Sequence, residues 1–163
     1  MAASPFNLHS IKRIGVISDT HGVLRDEALA ALRDSELILH AGDIGAPEVL
    51  ARLRDIAPVF AVRGNNDRAE WAQALPLTEA VEIGDHIIYL LHDIAELDID
   101  PAAARFSAVI TGHSHKPLIE RRGNVLYLNP GSAGPRRFKL PIALAHLHVT
   151  DDALEAQIVE LCV

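Results

Sequence analysis

A chain of 163 residues is the length of one domain built on one hydrophobic core. Its 22 acidic against 15 basic side chains give a net charge of −7, which disfavours the sequence-general binding of nucleic acid that a basic excess drives. At 49% hydrophobic and 23% charged the composition fits neither a disordered chain nor a membrane protein, and apolar runs such as Ile87 to Leu91 fall far short of a bilayer span.

Met1 to Ser10 carries neither the basic cluster nor the apolar stretch of a secretory signal, so residues 1–10 are expected to be a loose N-terminal extension ahead of a single domain over 11–163. Short β-branched runs bounded by Gly, Asp or Asn then predict strands at Ile14 to Ile17, Leu37 to Leu39, Val59 to Val62, Ile87 to Leu91 and Ala108 to Ile110. Between the first three lie helical candidates, Asp26 to Arg33 and Pro47 to Arg54, the second with Pro in its first turn. Strand, helix, strand, helix, strand predicts a parallel sheet. From Leu77 onward the pattern turns to antiparallel pairs: Ala80 to Ile83 with His86 to Leu91 across Gly84-Asp85, and Leu118 to Arg121 with Val125 to Leu128 across Gly123-Asn124. After a long irregular loop, Asn129 to Pro141, a last hairpin is expected from Ile142 to Val149 and Leu154 to Leu161. The single cysteine, Cys162, forms no internal disulfide and points to a reducing compartment, hence a cytoplasmic location.

The polar residues are not scattered. Each of five apolar runs is followed at once by a tight polar cluster: Asp19-Thr20-His21-Gly22, Gly42-Asp43, Gly64-Asn65-Asn66-Asp67, His92-Asp93, and Gly112-His113-Ser114-His115. In α/β sheets the carboxyl ends of strands form the ligand crevice, so these clusters are expected to converge. Together they supply two carboxylates, Asp19 and Asp43, four imidazoles, His21, His92, His113 and His115, and the amide of Asn65. Mixed oxygen and imidazole donors suit divalent first-row ions such as Mn, Fe, Co, Ni or Zn, whereas a thiolate site needs more than one cysteine. Seven donors exceed the needs of one ion, and a carboxylate has two oxygens with which to join two, Asp43 on its Gly-Asp turn being the best placed. Two such ions carry +4 into a cleft holding −2 from Asp19 and Asp43, which makes it attractive to an anionic substrate despite the negative chain.

The remaining histidines, His9, His40, His86, His146 and His148, are read as structural or solvated, with His40 the one close enough to Gly42-Asp43 to support the ligands from behind. Arg136-Arg137, beyond the Asn129 loop, is read as a solvated basic turn.

In this order, the clusters resemble the signature of the calcineurin-like metallophosphoesterase superfamily: Asp-x-His, Gly-Asp, Gly-Asn-His-Asp/Glu, His, Gly-His-x-His. The resemblance covers nearly the whole chain, and its short length with Asn129-Pro130-Gly131-Ser132 is similar to the small single-domain phosphodiesterases of the YfcE type. It implies an α/β fold, a four-layer α/β/β/α sandwich of two mixed sheets. It implies two divalent metal ions per chain, manganese foremost, one held by Asp19, His21 and His115, the other by Asn65, His92 and His113, with Asp43 as the bridge. The implied reaction is hydrolysis of a phosphoester, small-molecule or nucleotide, by a metal-bridging hydroxide without a covalent intermediate.

Two residues depart from the pattern. Asn66 stands where many relatives have the histidine thought to protonate the leaving group, and Asp93 follows His92 where relatives often have Gly. An amide transfers no proton near neutral pH but donates hydrogen bonds, so Asn66 is read as a contact to a phosphoryl oxygen, with Asp67 bracing its loop. Without a proton donor there, diesters with good leaving groups are favoured over monoesters, and phosphodiesterase is the expected activity. The alternatives are a phosphomonoesterase of the same superfamily, or a non-catalytic scaffold like the retromer subunit of this fold, which has lost part of the metal set. All seven ligand positions are filled here, which favours the enzyme. No Gly-x-Gly-x-x-Gly or Gly-x-x-x-x-Gly-Lys-Ser/Thr string occurs to suggest a dinucleotide or P-loop protein. No membrane partner is expected, and self-association is left open.

Overall fold

The computed structural model describes residues 8–163. Most of the expected N-terminal extension, residues 1–7, lies outside the described residues; Leu8–Ser10 forms a 3-10 turn whose Leu8 packs on the core.

The first half is β1 (Arg13–Ile17), α1 (Asp26–Leu32), β2 (Leu37–His40), α2 (Pro47–Arg54) and β3 (Val59–Ala61), with β1, β2 and β3 paired in parallel as the alternating pattern predicts. Pro47 sits in the first turn of α2, Glu48 beside it, and Arg52 and Arg54 close its last turn, charges placed to suit the helix dipole. Helix α1 stops one residue short of the expected Arg33, whose N–H bonds back only to Ala30, a tight final turn.

The second half is β4 (Thr78–Ile83), β5 (His86–Leu91), β6 (Ala108–Ile110), β7 (Leu118–Arg122), β8 (Val125–Asn129), β9 (Ala143–Val149) and β10 (Leu154–Glu160). All three predicted hairpins form. Two features differ from the antiparallel expectation. The second sheet, in the order β4-β5-β6-β8-β7, is parallel at its centre, where β5, β6 and β8 run together. The β9–β10 hairpin joins the first sheet, in the order β10-β9-β1-β2-β3. Strand β6 is short and buried along its whole length, which is the signature of a central strand covered on both faces.

The two sheets pack face to face, and period-2 alternation decides what goes where. Ile14, Val16, Leu37 and Leu39 of the first sheet meet Ile88, Leu90, Ile110, Leu126 and Leu128 of the second. Ile17 and Ile38 point the other way, onto Ala28 and Leu32 of α1 and Val49, Leu50 and Leu53 of α2. Each fully buried Leu or Ile here contributes about 1.5–3 kcal/mol. The fourth layer, outside the second sheet, is thin: Tyr89, Leu91 and Val109 are covered by Leu97, which follows the 3-10 turn Ile94–Glu96, and by Phe106, whose ring stacks on Tyr89 at 4.8 Å. Asp100 accepts from the N–H groups of Ala102 and Ala103, the bonding of an N-cap, and so opens the turn that leads to Phe106.

Candidate metal centre

The five polar clusters leave the carboxyl ends of β1, β2 and β3 in one sheet and of β5 and β6 in the other, so the chain brings them together at one edge of the sandwich. Their backbones are contorted there. Among the described residues, seven that are not glycine have positive φ, and five of them are Asp19 (55°), His21 (48°), Asp43 (55°), His113 (69°) and His115 (62°). A left-handed conformation costs an L-residue about 1–2 kcal/mol, and here the surrounding hydrogen bonds hold it. Asp19 N–H donates to Gly42 O at 3.0 Å, His21 N–H to Asp43 O at 2.9 Å, and Gly112 N–H to His92 O at 2.9 Å, tying neighbouring strand-end turns to one another within each sheet. Two glycines permit the closeness: a Cβ on Gly112 would lie 2.6 Å from Asp19 Oδ2, and one on Gly64 would collide with the backbone and carboxylate of Asp43.

The side chains follow. His115 Nε2 is 3.2 Å from Asp19 Oδ1, His21 Nε2 is 3.8 Å from Asp19 Oδ1 and 3.7 Å from Asp43 Oδ2, and His92 Nε2 is 3.3 Å from Asp43 Oδ2 and 4.0 Å from Asp19 Oδ1. Two groups with metal-ligand geometry result, Asp19 with His21 and His115, and Asp19 with Asp43 and His92. Asn65 and His113 pair with each other, Nδ1 to Oδ1 at 3.2 Å, and the His113 ring stands edge-on to His92 at 5.2 Å. The Asn66 amide, expected on a substrate oxygen, donates to Asp43 Oδ2 at 3.0 Å, and its backbone N–H donates to Asp43 Oδ1 at 2.9 Å. Asp93 caps the 3-10 turn through Ala95 N–H at 3.0 Å and keeps its other oxygen 3.7 Å from His113 Nε2.

These residues fit a cation. Asp19 Oδ1, His21 Nε2, His92 Nε2 and His115 Nδ1 are buried without a hydrogen-bond partner, a costly condition that a bound cation relieves at the first three, where they converge. His92 Nδ1 lies 2.7 Å from Ala41 O and must carry its proton toward that carbonyl, which leaves the Nε2 lone pair facing the centre as a ligating tautomer requires. Burial opposes charge on Asp43, but the His92 imidazole 3.3 Å away and the N–H of Asn66 outweigh it and pull its pKa down to about 2. Asp19 is held below the usual range in the same way, its burial overcome by His115 and Ser18. Burial likewise works against protonated His92, yet Asp43 and Asp19 outweigh it and raise its pKa, so the centre favours positive charge.

Behind the ligands stand residues whose roles depend on tertiary contacts. Asp67, 4% exposed, accepts from the N–H groups of Ile44, Gly45 and Gly64, joining the β2 turn to the β3 turn; its place in the Gly-Asn-Asn-Asp cluster was the available signal. Ser18, unmarked by any pattern in the sequence, donates to Asp19 Oδ2 at 2.6 Å, and Ser132, from the Asn-Pro-Gly-Ser string, donates to Asp19 O at 2.9 Å. Asn129 donates to Gly112 O and Ser114 Oγ, bracing the Gly-His-Ser-His turn from its conspicuous Asn-Pro-Gly-Ser string. His40, fully buried, accepts from Gly42 N–H at Nδ1 and donates from Nε2 to Thr20 Oγ1, which itself donates to Ile44 O. Burial pushes its pKa down to about 4, so it is neutral. His86 and His146 bond to Ser107, Thr150 and Ala31, away from the centre, as structural histidines do.

Comparison with known proteins agrees with this geometry. The model of the calcineurin-like phosphoesterase superfamily domain matches residues 13–152. The chain is 34% identical over 158 residues to a probable metallophosphoesterase of Methanothermobacter thermautotrophicus, covering 90% of this chain and 91% of that one. It is 31% identical over 140 residues to the phosphodiesterase YfcE of Escherichia coli K12, covering 71% and 76%. Its fold superposes on wild-type Vps29 of Entamoeba histolytica in complex with Zn2+ with a TM-score of 0.71 at 25% identity, covering 91% of this chain and 98% of that one. Among the described residues, no helix is long and apolar enough to cross a membrane.

Proposed function

The chain belongs to the calcineurin-like phosphoesterase superfamily, and from that premise we propose that it is a phosphodiesterase working with two divalent metal ions. The observation that carries the reading is the convergence of Asp19 Oδ1, His21 Nε2 and His92 Nε2, buried without partners, on the carboxylate of Asp43. Asp19, His21 and His115 would hold one ion, His92 with Asn65 and His113 the other, and Asp43 would lie between them. When bound, the two ions would supply Lewis acidity to the phosphoryl oxygens and acidify water. Manganese is the first candidate; Ni, Fe, Co and Zn offer matching chemistry.

The chain's own residues set the rest. Asp43 is already ionised and ready, and Ala41 O keeps His92 in the tautomer that presents Nε2. Asn66 Nδ2 donates at the edge of the site, where a phosphoryl oxygen competing with Asp43 for that hydrogen would be oriented and its charge stabilised. Because Asn66 has no proton to give, the departing oxygen leaves with little help, which favours diesters with acidic leaving groups over alkyl monoesters. The free thiol of Cys162 suits the reducing cytoplasm.

A panel of mono-, di- and cyclic phosphoesters, assayed with Mn, with chelator and with Mn restored, tests this. Diester hydrolysis should vanish with chelator and return with Mn, at two ions per chain by metal analysis. Asn66→His should gain most on the poorest leaving groups. A partner-binding scaffold is the second reading, favoured by the likeness to Vps29. Since that protein is itself found with Zn2+, metal content alone does not separate the two; metal-loaded protein that turns over no phosphoester would select the scaffold.

A further inference from the structure

Resting on the phosphodiesterase reading, we propose that a trough beside the metal centre holds a short single-stranded oligonucleotide, with one base stacked on Phe138 and the neighbouring phosphate between Lys116, Arg137 and Lys139. Two hollows form the trough. One, of about 380 Å³, begins at His113 and is walled by Ile94, Tyr127 and Arg122; the other, open and about 630 Å³, is lined by Arg137, Phe138 and Lys139. Ser114 and Lys116 line both, so the two hollows adjoin between His113 and the loop.

Phe138 is the most exposed large apolar side chain among the described residues, at 88%. It contributes nothing to the core, and the backbone that presents it is held: Leu140 N–H donates to Arg137 O, Arg136 Nη1 donates to Leu140 O, and Phe138 itself sits at φ 54° on the tip of this turn. An aromatic ring held out in water and flanked by cations is the arrangement with which proteins stack bases and track a phosphate backbone. The chain carries −7 overall, so a group of cations along one route from a phosphoester site is against its general charge. A second flat surface lies in the first hollow, where the Arg122 guanidinium, bonded to Glu120, lies over the Tyr127 ring at 4.4 Å. The one acidic side chain lining the path is Asp93, next to the centre. A phosphomonoester or a small diester has no group to reach this loop, whereas a strand whose scissile diester lies at His113 extends along it. The solvated basic turn expected at Arg136-Arg137 is then part of the substrate site. A basic loop with an exposed Phe also suits an anionic lipid surface, but Phe138 is alone in its loop and the trough leads inward to the centre.

Equilibrium binding decides it, using the Mn-loaded full chain and a fluorescent phosphorothioate tetrathymidylate, beside the same strand made abasic. Phe138→Ala should weaken binding of the normal strand about tenfold and leave the abasic strand unaffected, with Phe138→Trp restoring it. Arg137→Ala with Lys139→Ala should weaken both strands and flatten the dependence on salt by about one to two in log–log slope. Leu77→Ala, an exposed apolar change elsewhere, should match wild type. Equal loss of both strands in Phe138→Ala, or no loss in either, overturns the proposal. So does Phe138-dependent sedimentation with phosphatidylserine vesicles without strand binding. Failure of the phosphodiesterase reading shows separately, as absent turnover of bis(p-nitrophenyl) phosphate.

Discussion

Asp67 offers the sharpest test of how the centre is held, because it touches neither the proposed cations' ligands nor open solvent. Its Oδ2 accepts from Ile44 N–H at 3.1 Å and Gly64 N–H at 2.9 Å, and its Oδ1 from Gly45 N–H at 3.1 Å, so one carboxylate spans the two loops that carry Asp43 and Asn65. Replacing it by Ala strands these donors, two of which are buried. A buried donor left unmade costs about 1–3 kcal/mol, and bonds to a charged acceptor lie at the upper end, so the two buried donors together predict a loss of roughly 3–5 kcal/mol. Asp67→Asn keeps one acceptor oxygen but turns an N–H toward an N–H, and should lose about half as much. Urea unfolding of metal-free protein followed by circular dichroism measures both. With a slope of about 2 kcal/mol per molar, Asp67→Ala should move the midpoint down by about 1.5–2.5 M. Metal affinity should fall as well, because the Asp43 turn loses its tie to β3. A midpoint within 0.5 M of wild type (a cost of about 1 kcal/mol), with unchanged metal binding, would refute the claim that Asp67 holds the two loops together.

Three further outcomes follow from the same geometry. His40 has a folded pKa of about 4, below its unfolded 6.5, so the unfolded chain takes up the proton first and stability is lost as pH falls between these values, by about 2 kcal/mol at pH 5; the metal-free wild type should show this loss and His40→Gln should not, as read by thermal or urea melts at pH 7.5 and 5. His92 has the opposite sign, its pKa being raised, so its contribution to metal-free stability is present below pH 6.5 and lost as pH rises through the folded value; the same proton competes with a cation, so calorimetric Mn affinity should weaken by tenfold or more from pH 8 to pH 6, less steeply in His92→Gln. Gly112→Ala would drive its new Cβ against Ser18 Oγ and to 2.6 Å from Asp19 Oδ2, and should cost about 1–3 kcal/mol of stability and one bound ion, measured by melting and metal analysis.

Much of this protein is legible in its sequence, and the reason is local. Helix α2 runs from Pro47 to Arg54 as its first-turn proline and terminal arginines predict, and Gly84-Asp85 and Gly123-Asn124 mark hairpins because tight turns need the backbone freedom those residues have. Period and punctuation also put Asp19, Asp43, His92 and His113 directly after strands, and strand ends converge in any layered α/β sandwich. Pairing is not local. Nothing in β6 or in the β9–β10 hairpin names its neighbour, since apolar strands of similar length compete for one sheet position and the choice is made by packing the whole sandwich. Nor does a string of residues reveal which acceptor a buried donor will find. That Asn66 binds Asp43, that Asn65 meets His113, that His40 is neutral between Gly42 and Thr20, and that Asp67 spans two loops are settled only when the turns are brought within hydrogen-bonding distance of one another and these polar groups take the partners within reach.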